Sequence, residues 1–329
     1  MIHFLLFLLA LASTPAAQLR QRYIVSFHAY APESRHLLRL SNASGVYHRR
    51  RSNNPARDAP TDFVLAELEK DEVADLEAQP FVRRVARDRR VSFSPLHTHT
   101  RVGPPHEQQD AGDLSACGAP TGRSAAGDGF GHGGTSPAKT LGADVLWRRG
   151  VNGSGINVAV LDTGSPRGRW GRDVLDFTGE GVLASTAAGG GHHHGAAVAG
   201  IISSTNARCP GMAPGAILHQ FKVFTVRDQI SYTSFFLDAL NMALDAGVDI
   251  VNLSVGGPDA EDLPFLDKVR ELTAQGALMV SAIGNDGPVK ISQNTRCRSS
   301  VLHCTDMAHS YGAQLWPGFS FLRECSAIL

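Results

Sequence analysis

The chain has 329 residues, 43% of them apolar, and its 31 Lys plus Arg balance 31 Asp plus Glu, so the formal net charge is zero. That length accommodates about two domains and that composition supports a buried core, which excludes disorder of the whole chain. Balanced charge supplies no bulk field to gather nucleic acid or anionic lipid, so no nucleic-acid partner is expected and partners have to be argued from sites. The 34 Gly follow no G-X-Y period, which excludes collagen and points to glycine-dependent turns.

In chain order, residues 1–17 read as a cleaved secretory signal: the apolar run Phe4 to Ala12 is too short to span a bilayer and ends in small residues and Pro15. No later stretch has the apolar length of a membrane span, so no transmembrane segment is expected. Entry into the secretory pathway, whether the endoplasmic reticulum and Golgi lumen or secretion, permits disulfides among Cys117, Cys209, Cys297, Cys304 and Cys325, an odd number whose pairing stays open. The sequons Asn42-Ala43-Ser44 and Asn152-Gly153-Ser154 suit that compartment, whereas Asn252-Leu253-Ser254 falls in a run that reads as a buried strand and is expected to stay unmodified.

Residues 18–95 form a small α+β unit, with strands at Tyr23–Phe27 and Phe81–Val85 and a helix over Asp71–Gln79. Residues 96–140, rich in Gly, Pro, His, Ala and Ser, form a linker. Over residues 141–288 apolar strands alternate with helical patterns. Ile156–Asp162, Ile217–Phe224, Val248–Val255 and Ala277–Ile283 are the strands, and the alternation predicts a parallel α/β sheet with helices on both faces. The first of two clear helices carries Phe236, Ala239, Leu240 and Ala243 on one face, with Ser231 or Thr233 as N-cap. The second starts at Asp262 with Pro264 in its first turn, turns Phe265, Val269 and Leu272 inward, and stops at Gly276. Residues 289–329 show no strand or helix pattern.

Functional groups in an open parallel sheet gather at the carboxyl ends of strands, which singles out Asp162 in Leu161-Asp162-Thr163-Gly164. His194 opens the small-residue helix His194-Gly195-Ala196-Ala197-Val198-Ala199-Gly200, whose close packing brings an imidazole to the same strand ends. Ser254-Val255-Gly256-Gly257 ends the third strand, and Gly284-Asn285-Asp286-Gly287 follows the fourth, where the Asn285 amide can donate to a developing oxyanion.

A strand-end Asp, a helix-borne His, a Ser-Val-Gly-Gly edge and a Gly-Asn turn, in that order, resemble the subtilisin-like serine proteases. The likeness is specific over Tyr232 to Ala239 and Val280 to Pro288, strong from Leu141 to Pro288, and weaker from Tyr23 to Val91. It implies a prosegment over 18–95 that acts as the chain's own inhibitor, a partial catalytic domain over 141–288, and a divergent tail over 289–329. It also implies Asp162 orienting His194, His194 as general base and then acid, Asn285 as oxyanion donor, and Ser254, Val255 and Gly256 pairing with a peptide or protein substrate as an added strand. No cofactor and no metal is implied. Arg89-Arg90-Val91-Ser92 is similar to the Arg-x-hydrophobic-x sites that one branch of this family favours, although the final position there is usually Leu or Lys.

The departure from the family pattern is the nucleophile. The family's Gly-Thr-Ser-x-Ala-x-Pro motif follows the oxyanion Asn, and nothing after Asn285 matches it. Gly134-Thr135-Ser136 precedes Asp162, and Gly318-Phe319-Ser320-Phe321-Leu322 lacks the second Gly of a nucleophile elbow. Ala196 replaces the usual Thr after His-Gly, and Gly190 stands where the family has Asp. Two readings follow: a serine endopeptidase whose chain as written lacks its nucleophile and is inactive, or a non-catalytic peptide-binding or inhibitory fragment. An aspartic protease reading of Asp162-Thr163-Gly164 fails because its mechanism needs a second such carboxylate, and none is present. His192, His193 and His194 are adjacent, so on a helix they diverge by about 100° and do not converge on one ion.

Overall fold

The computed structural model describes residues 19–92, 138, 141–165, 174–181, 193–207, 209–225, 228–254, 261–282 and 303–305. By contacts the chain divides into two units: one formed by residues up to Arg50 together with Arg57–Asp88, the other by Arg51–Ala56 together with the residues from Arg89 onward.

In the first unit the order is β1 (Gln21–Ala31), α1 (Glu33–Arg39), β2 (Val46–His48), β3 (Thr61–Leu68), α2 (Lys70–Glu77) and β4 (Val82–Arg87). The strands make an antiparallel sheet in the order β2-β3-β1-β4, the split βαβ arrangement of two interleaved units. Val64, Ala66 and Leu68 alternate onto one face of β3 and meet Val25, Phe27, Leu40, Leu76, Val82 and Val85 in a single apolar cluster. A reciprocal capping box between Glu69 and Glu72 starts α2. His36 is fully buried on α1, stacked 3.9 Å from Phe27, and burial holds its imidazole below the ordinary histidine range despite the bond to the Thr61 carbonyl.

The second unit carries β5 (Arg90–Ser92), α3 (Ala143–Trp147), β6 (Asn157–Asp162), β7 (Val174–Asp176), α4 (His193–Ser203), β8 (Thr205–Asn206), β9 (Cys209–Pro210), β10 (Ile217–Lys222), β11 (Ile230–Tyr232), α5 (Thr233–Asp245), β12 (Ile250–Leu253), α6 (Leu263–Ala274), β13 (Leu278–Ala282) and β14 (His303–Thr305). Six strands pair in parallel in the order β14-β13-β12-β6-β10-β7. Both faces are covered, which is why β6 reads as an unbroken apolar run. Val158 and Val160 pack with Leu218 and Ala199 of α4, while Ala159 and Leu161 join Phe221, Val251, Leu253 and Met279 beneath Phe236 of α5 and Phe265 of α6.

The four expected strands are present, each trimmed at one end or both, but the sheet has two more. Val174–Asp176 pairs with β10, and His303–Thr305 pairs with β13, so the expectation of no strand after Pro288 is wrong. Three-residue strands carry too little alternation to be visible in sequence. The cap of α5 is also corrected. Tyr232, extended at φ −132° by its place at the end of β11, occupies the N-cap, and Thr233 lies inside the helix with its hydroxyl donated to Asp262. Helix α6 follows its sequence signals: Asp262 accepts from the Phe265 amide at 3.3 Å, Pro264 lies in the first turn, and Gly276 takes the left-handed conformation at φ +96° just past the end.

Candidate active site

Strand order reverses at β6, with β10 on one side and β12 on the other, and the carboxyl ends of the strands at such a switch point flank a crevice. Asp162 is the last residue of β6 and its side chain is 1% exposed. His194 lies in the first turn of α4, and its Nδ1 is 2.8 Å from Asp162 Oδ1 and 2.9 Å from Oδ2. Donation from Nδ1–H fixes the neutral tautomer that leaves the lone pair on Nε2, the atom a general base uses. The Thr163 amide also donates to Asp162 Oδ1, at 2.6 Å, which orients the carboxylate from its own backbone. Burial works against the charged imidazole, but the hydrogen bond and the charge of Asp162 outweigh it, so the His194 pKa stands above its ordinary 6.5.

The close packing expected of α4 depends on Gly195. A Cβ at that position would fall 2.4 Å from the Gly164 carbonyl oxygen and 2.9 Å from its amide nitrogen, both rigid backbone atoms. The Gly195 amide donates to Thr163 Oγ1 at 3.1 Å, satisfying one of the donors left open at the helix start. Gly164 itself has φ +85°, and the side chain of Lys222 closes over it, 3.2 Å from where a Cβ would sit.

Sequence reasoning missed Lys222, the last residue of β10, in register with both Asp162 on β6 and Asp176 on β7. It is 1% exposed, with Nζ 3.0 Å from Thr178 Oγ1, 3.0 Å from Glu180 Oε2 and 3.5 Å from Asp176 Oδ1. Asp176 Oδ1 accepts from the Thr178 amide and hydroxyl, and Asp176 Oδ2 is buried without a hydrogen-bond partner among the described residues. The only sequence signal was a lysine closing an apolar strand. Replacing Lys222 with Met leaves two carboxylates facing each other beside the β6 turn. Removing one partner of a buried pair costs about 3 kcal/mol or more, at the low end here because Glu180 is part-exposed. The urea transition of the second unit, followed by hydrogen exchange at β6 and β10, is expected to move down accordingly, and an unchanged midpoint would show that the cluster is not holding the strand ends.

Ser254 follows β12 directly and exchanges hydrogen bonds with the Asn252 side chain, at 2.9 and 3.3 Å. Val255, Gly256 and Asn285 lie outside the described residues. Asn252 is on a central strand between β6 and β13. Among the described residues no group of three metal-ligating side chains converges, and no helix is long and apolar enough to cross a membrane.

A parallel sheet covered on both faces, with a strand-end aspartate bonded to a histidine in the first turn of the next helix, is the arrangement of a subtilisin-like fold. The chain belongs to the subtilase family, whose model matches residues 153–304. It is similar to the membrane-bound transcription factor site-1 protease of Homo sapiens, 38% identical over 259 residues that make up 72% of this chain and 24% of that protein. It also resembles the subtilisin-like protease SBT6.1 of Arabidopsis thaliana, 42% identical over 159 residues, 47% of this chain and 15% of the relative. A bacterial likeness is the major intracellular serine protease of Bacillus subtilis (strain 168), 33% identical over 160 residues, 45% of this chain and 49% of the relative. The chain spans about a quarter of the length of the site-1 proteases it matches.

Proposed function

We propose that the second unit carries the acid–base half of a secretory-pathway serine endopeptidase site of the site-1 protease kind, acting on peptide or protein chains at Arg-x-hydrophobic-x sequences. The observation that carries this reading is the two-oxygen grip of Asp162 on His194 Nδ1, at 2.8 and 2.9 Å, in a family whose members named above are proteases. In this reading His194 takes a proton from a serine hydroxyl and returns it to the leaving amine, while buried Asp162 fixes the ring and supports the imidazolium without itself being protonated. Asn285 donates to the oxyanion, and Ser254, Val255 and Gly256 hold the substrate backbone.

Residues 18–95 are proposed as the prosegment and own inhibitor of this site. Support comes from β5, which contributes Val91 to the core of the second unit and pairs antiparallel with β11 through Ser231↔Val91 and Tyr232↔Arg90. A peptide bound as an added strand would be held in this way. The apolar run at Phe4 to Ala12 supports entry into the secretory pathway.

The polypeptide of 329 residues is proposed to be inactive, since no Gly-Thr-Ser motif follows Asn285. The test is the purified chain with a fluorogenic Arg-x-Leu peptide and a serine-directed covalent reagent. The expected result is no acyl-enzyme burst, no labelling, and at most the residual ~10³ to 10⁴ acceleration over water that a site without its nucleophile keeps. Ordinary enzymatic turnover abolished by the reagent would overturn the inactivity. Failure of the chain to hydrolyse peptide even when a Ser-bearing segment is supplied would favour the alternative of a non-catalytic peptide-binding or inhibitory fragment.

A further inference from the structure

The turn between α3 and β6 contains Asn152-Gly153, the one Asn-Gly pair in the chain. The fold uses both residues. Gly153 stands at φ +87°, and a Cβ on it would fall 2.7 Å from the Ala213 Cβ, so no other residue fits there without strain. The Asn152 carbonyl accepts from the Gly215 amide at 2.8 Å, the Gly153 carbonyl from the Ile156 amide at 3.1 Å, and the Ile156 carbonyl from the Ile217 amide at 2.9 Å. The turn therefore ties the amino end of β6 to that of β10. Asn152 Oδ1 shapes it from within, accepting from the Ser154 amide at 3.0 Å and from the Ser154 hydroxyl at 2.7 Å. Gly215 lies directly against these bonds, where a Cβ would fall 2.8 Å from Asn152 Oδ1 and 2.5 Å from Ser154 Oγ. Among the described residues neither Asn152 Nδ2 nor the Gly153 amide has a hydrogen-bond partner, and Ser154 is exposed to solvent.

We propose that Asn152 is a modification site at which the chain deamidates itself, through a cyclic imide formed with Gly153. The Gly153 nitrogen, its proton taken by solvent base, attacks Asn152 Cγ, and glycine has no side chain to obstruct the approach. As the N–Cγ bond forms, negative charge develops on Oδ1, where two donors from Ser154 are already in place. The Cγ–Nδ2 bond then breaks, and the unpartnered amide group takes up a proton from solvent and leaves as ammonia. Water opens the imide at either carbonyl, giving aspartate or, with the chain rerouted through Cβ and Cγ, isoaspartate. Water enters, ammonia leaves, and nothing is oxidised or reduced. In the isoaspartate form the main chain is one carbon longer at this turn, and the former Asn152 carbonyl becomes part of a carboxylate outside the main chain. The acceptor of the Gly215 amide is thereby altered. The reaction needs neither Asp162 nor His194 and is independent of the proposed proteolytic chemistry.

The test uses the full chain made in a host without N-glycosylation, so that Asn152 Nδ2 carries no sugar. The chain is held at pH 8 while peptide mapping by mass spectrometry and isoaspartyl methyltransferase labelling follow the turn, with a synthetic peptide of residues 149–157 run in parallel. Asn152 is expected to react at least as fast in the folded chain as in the peptide, and Asn42, exposed but followed by alanine, to stay unreacted over the same period. Ser154→Ala removes the hydroxyl donor and is expected to slow the folded chain by about 3- to 10-fold, the effect of losing one hydrogen bond to the developing charge, while leaving the peptide unchanged. Hydrogen exchange over β6 and β10 reports that the variant is folded, and in the reacted parent the Ile217 amide is expected to exchange faster. Should Ser154→Ala fail to fold, Gly215→Ala, whose Cβ presses the Ser154 donors off Oδ1, takes its place with slowing again expected. Reaction in the folded parent about 10-fold or more slower than in the peptide, or an unchanged rate in the folded variant, would overturn the proposal.

Discussion

In a form of this chain supplied with a Ser-bearing segment, His194→Ala is expected to lower kcat by about 10⁶, the loss that follows when the base of a subtilisin-type triad is removed alone. The ground is positional. His194, in the first turn of α4, is bonded to the Asp162 carboxylate, and under the proposed function it would serve as base because Asp162 fixes which nitrogen keeps its proton. The parent enzyme's kcat/KM is expected to rise with pH through the folded His194 pKa, which lies above 6.5, since the neutral ring is the active base. Stability runs the other way. A raised folded pKa gives stabilisation that is full below the unfolded value near 6.5 and is lost as pH rises through the folded one. Stopped assays across pH 5 to 9, with NMR titration of the His194 ring, test both. A midpoint at or below 6.5, or activity retained in His194→Ala, would show that the ring is not the base.

Asp162→Asn is expected to cost about 10⁴ in kcat in the same background, with KM little changed. The amide keeps the size of the carboxylate but can donate where the carboxylate accepts, so it stabilises the wrong imidazole tautomer and offers no charge to the imidazolium. The substitution also removes the acceptor of the 2.6 Å Thr163 amide bond only in part, because the amide oxygen can still take it. The turn after β6 is therefore expected to survive, and the hydrogen exchange of β6 to match the parent. The NMR titration separates the effects: the His194 midpoint falls in Asp162→Asn, and an unmoved midpoint would mean that Asp162 does not govern the ring.

Much of the second unit was legible because burial on both faces writes long apolar runs, as in Val158 to Leu161, and because Asp262, Pro264 and Gly276 punctuate α6 as isolated helices do. Asp162 and His194 were legible for a related reason: a charged residue closing an apolar strand, and a histidine opening a run of small residues, are each conspicuous against their neighbours. What escaped was whatever tertiary pairing alone decides. Strands β7 and β14 are three residues long and exist because a neighbouring strand offers its edge. Thr233 looked like a cap until β11 fixed Tyr232 in the extended conformation. In the first unit β3 escaped the sequence reading, although Val64, Ala66 and Leu68 alternate along it, and α1 is too short for a period to show. Lys222 could not have been found from composition, since its partners Asp176, Thr178 and Glu180 come from a different strand and the turn beyond it.

The contact between Gly195 and Gly164 has a mechanical meaning. With backbone against backbone, and no room for even one carbon between them, α4 cannot slide along β6 or tilt toward it. The distance from imidazole to carboxylate is then a property of the resting fold and not something a bound peptide has to create. Under the proposed function, reorganisation that a looser hinge would leave to the moment of reaction is completed during folding, and a peptide reaching these strand ends would meet an acid–base pair already aligned.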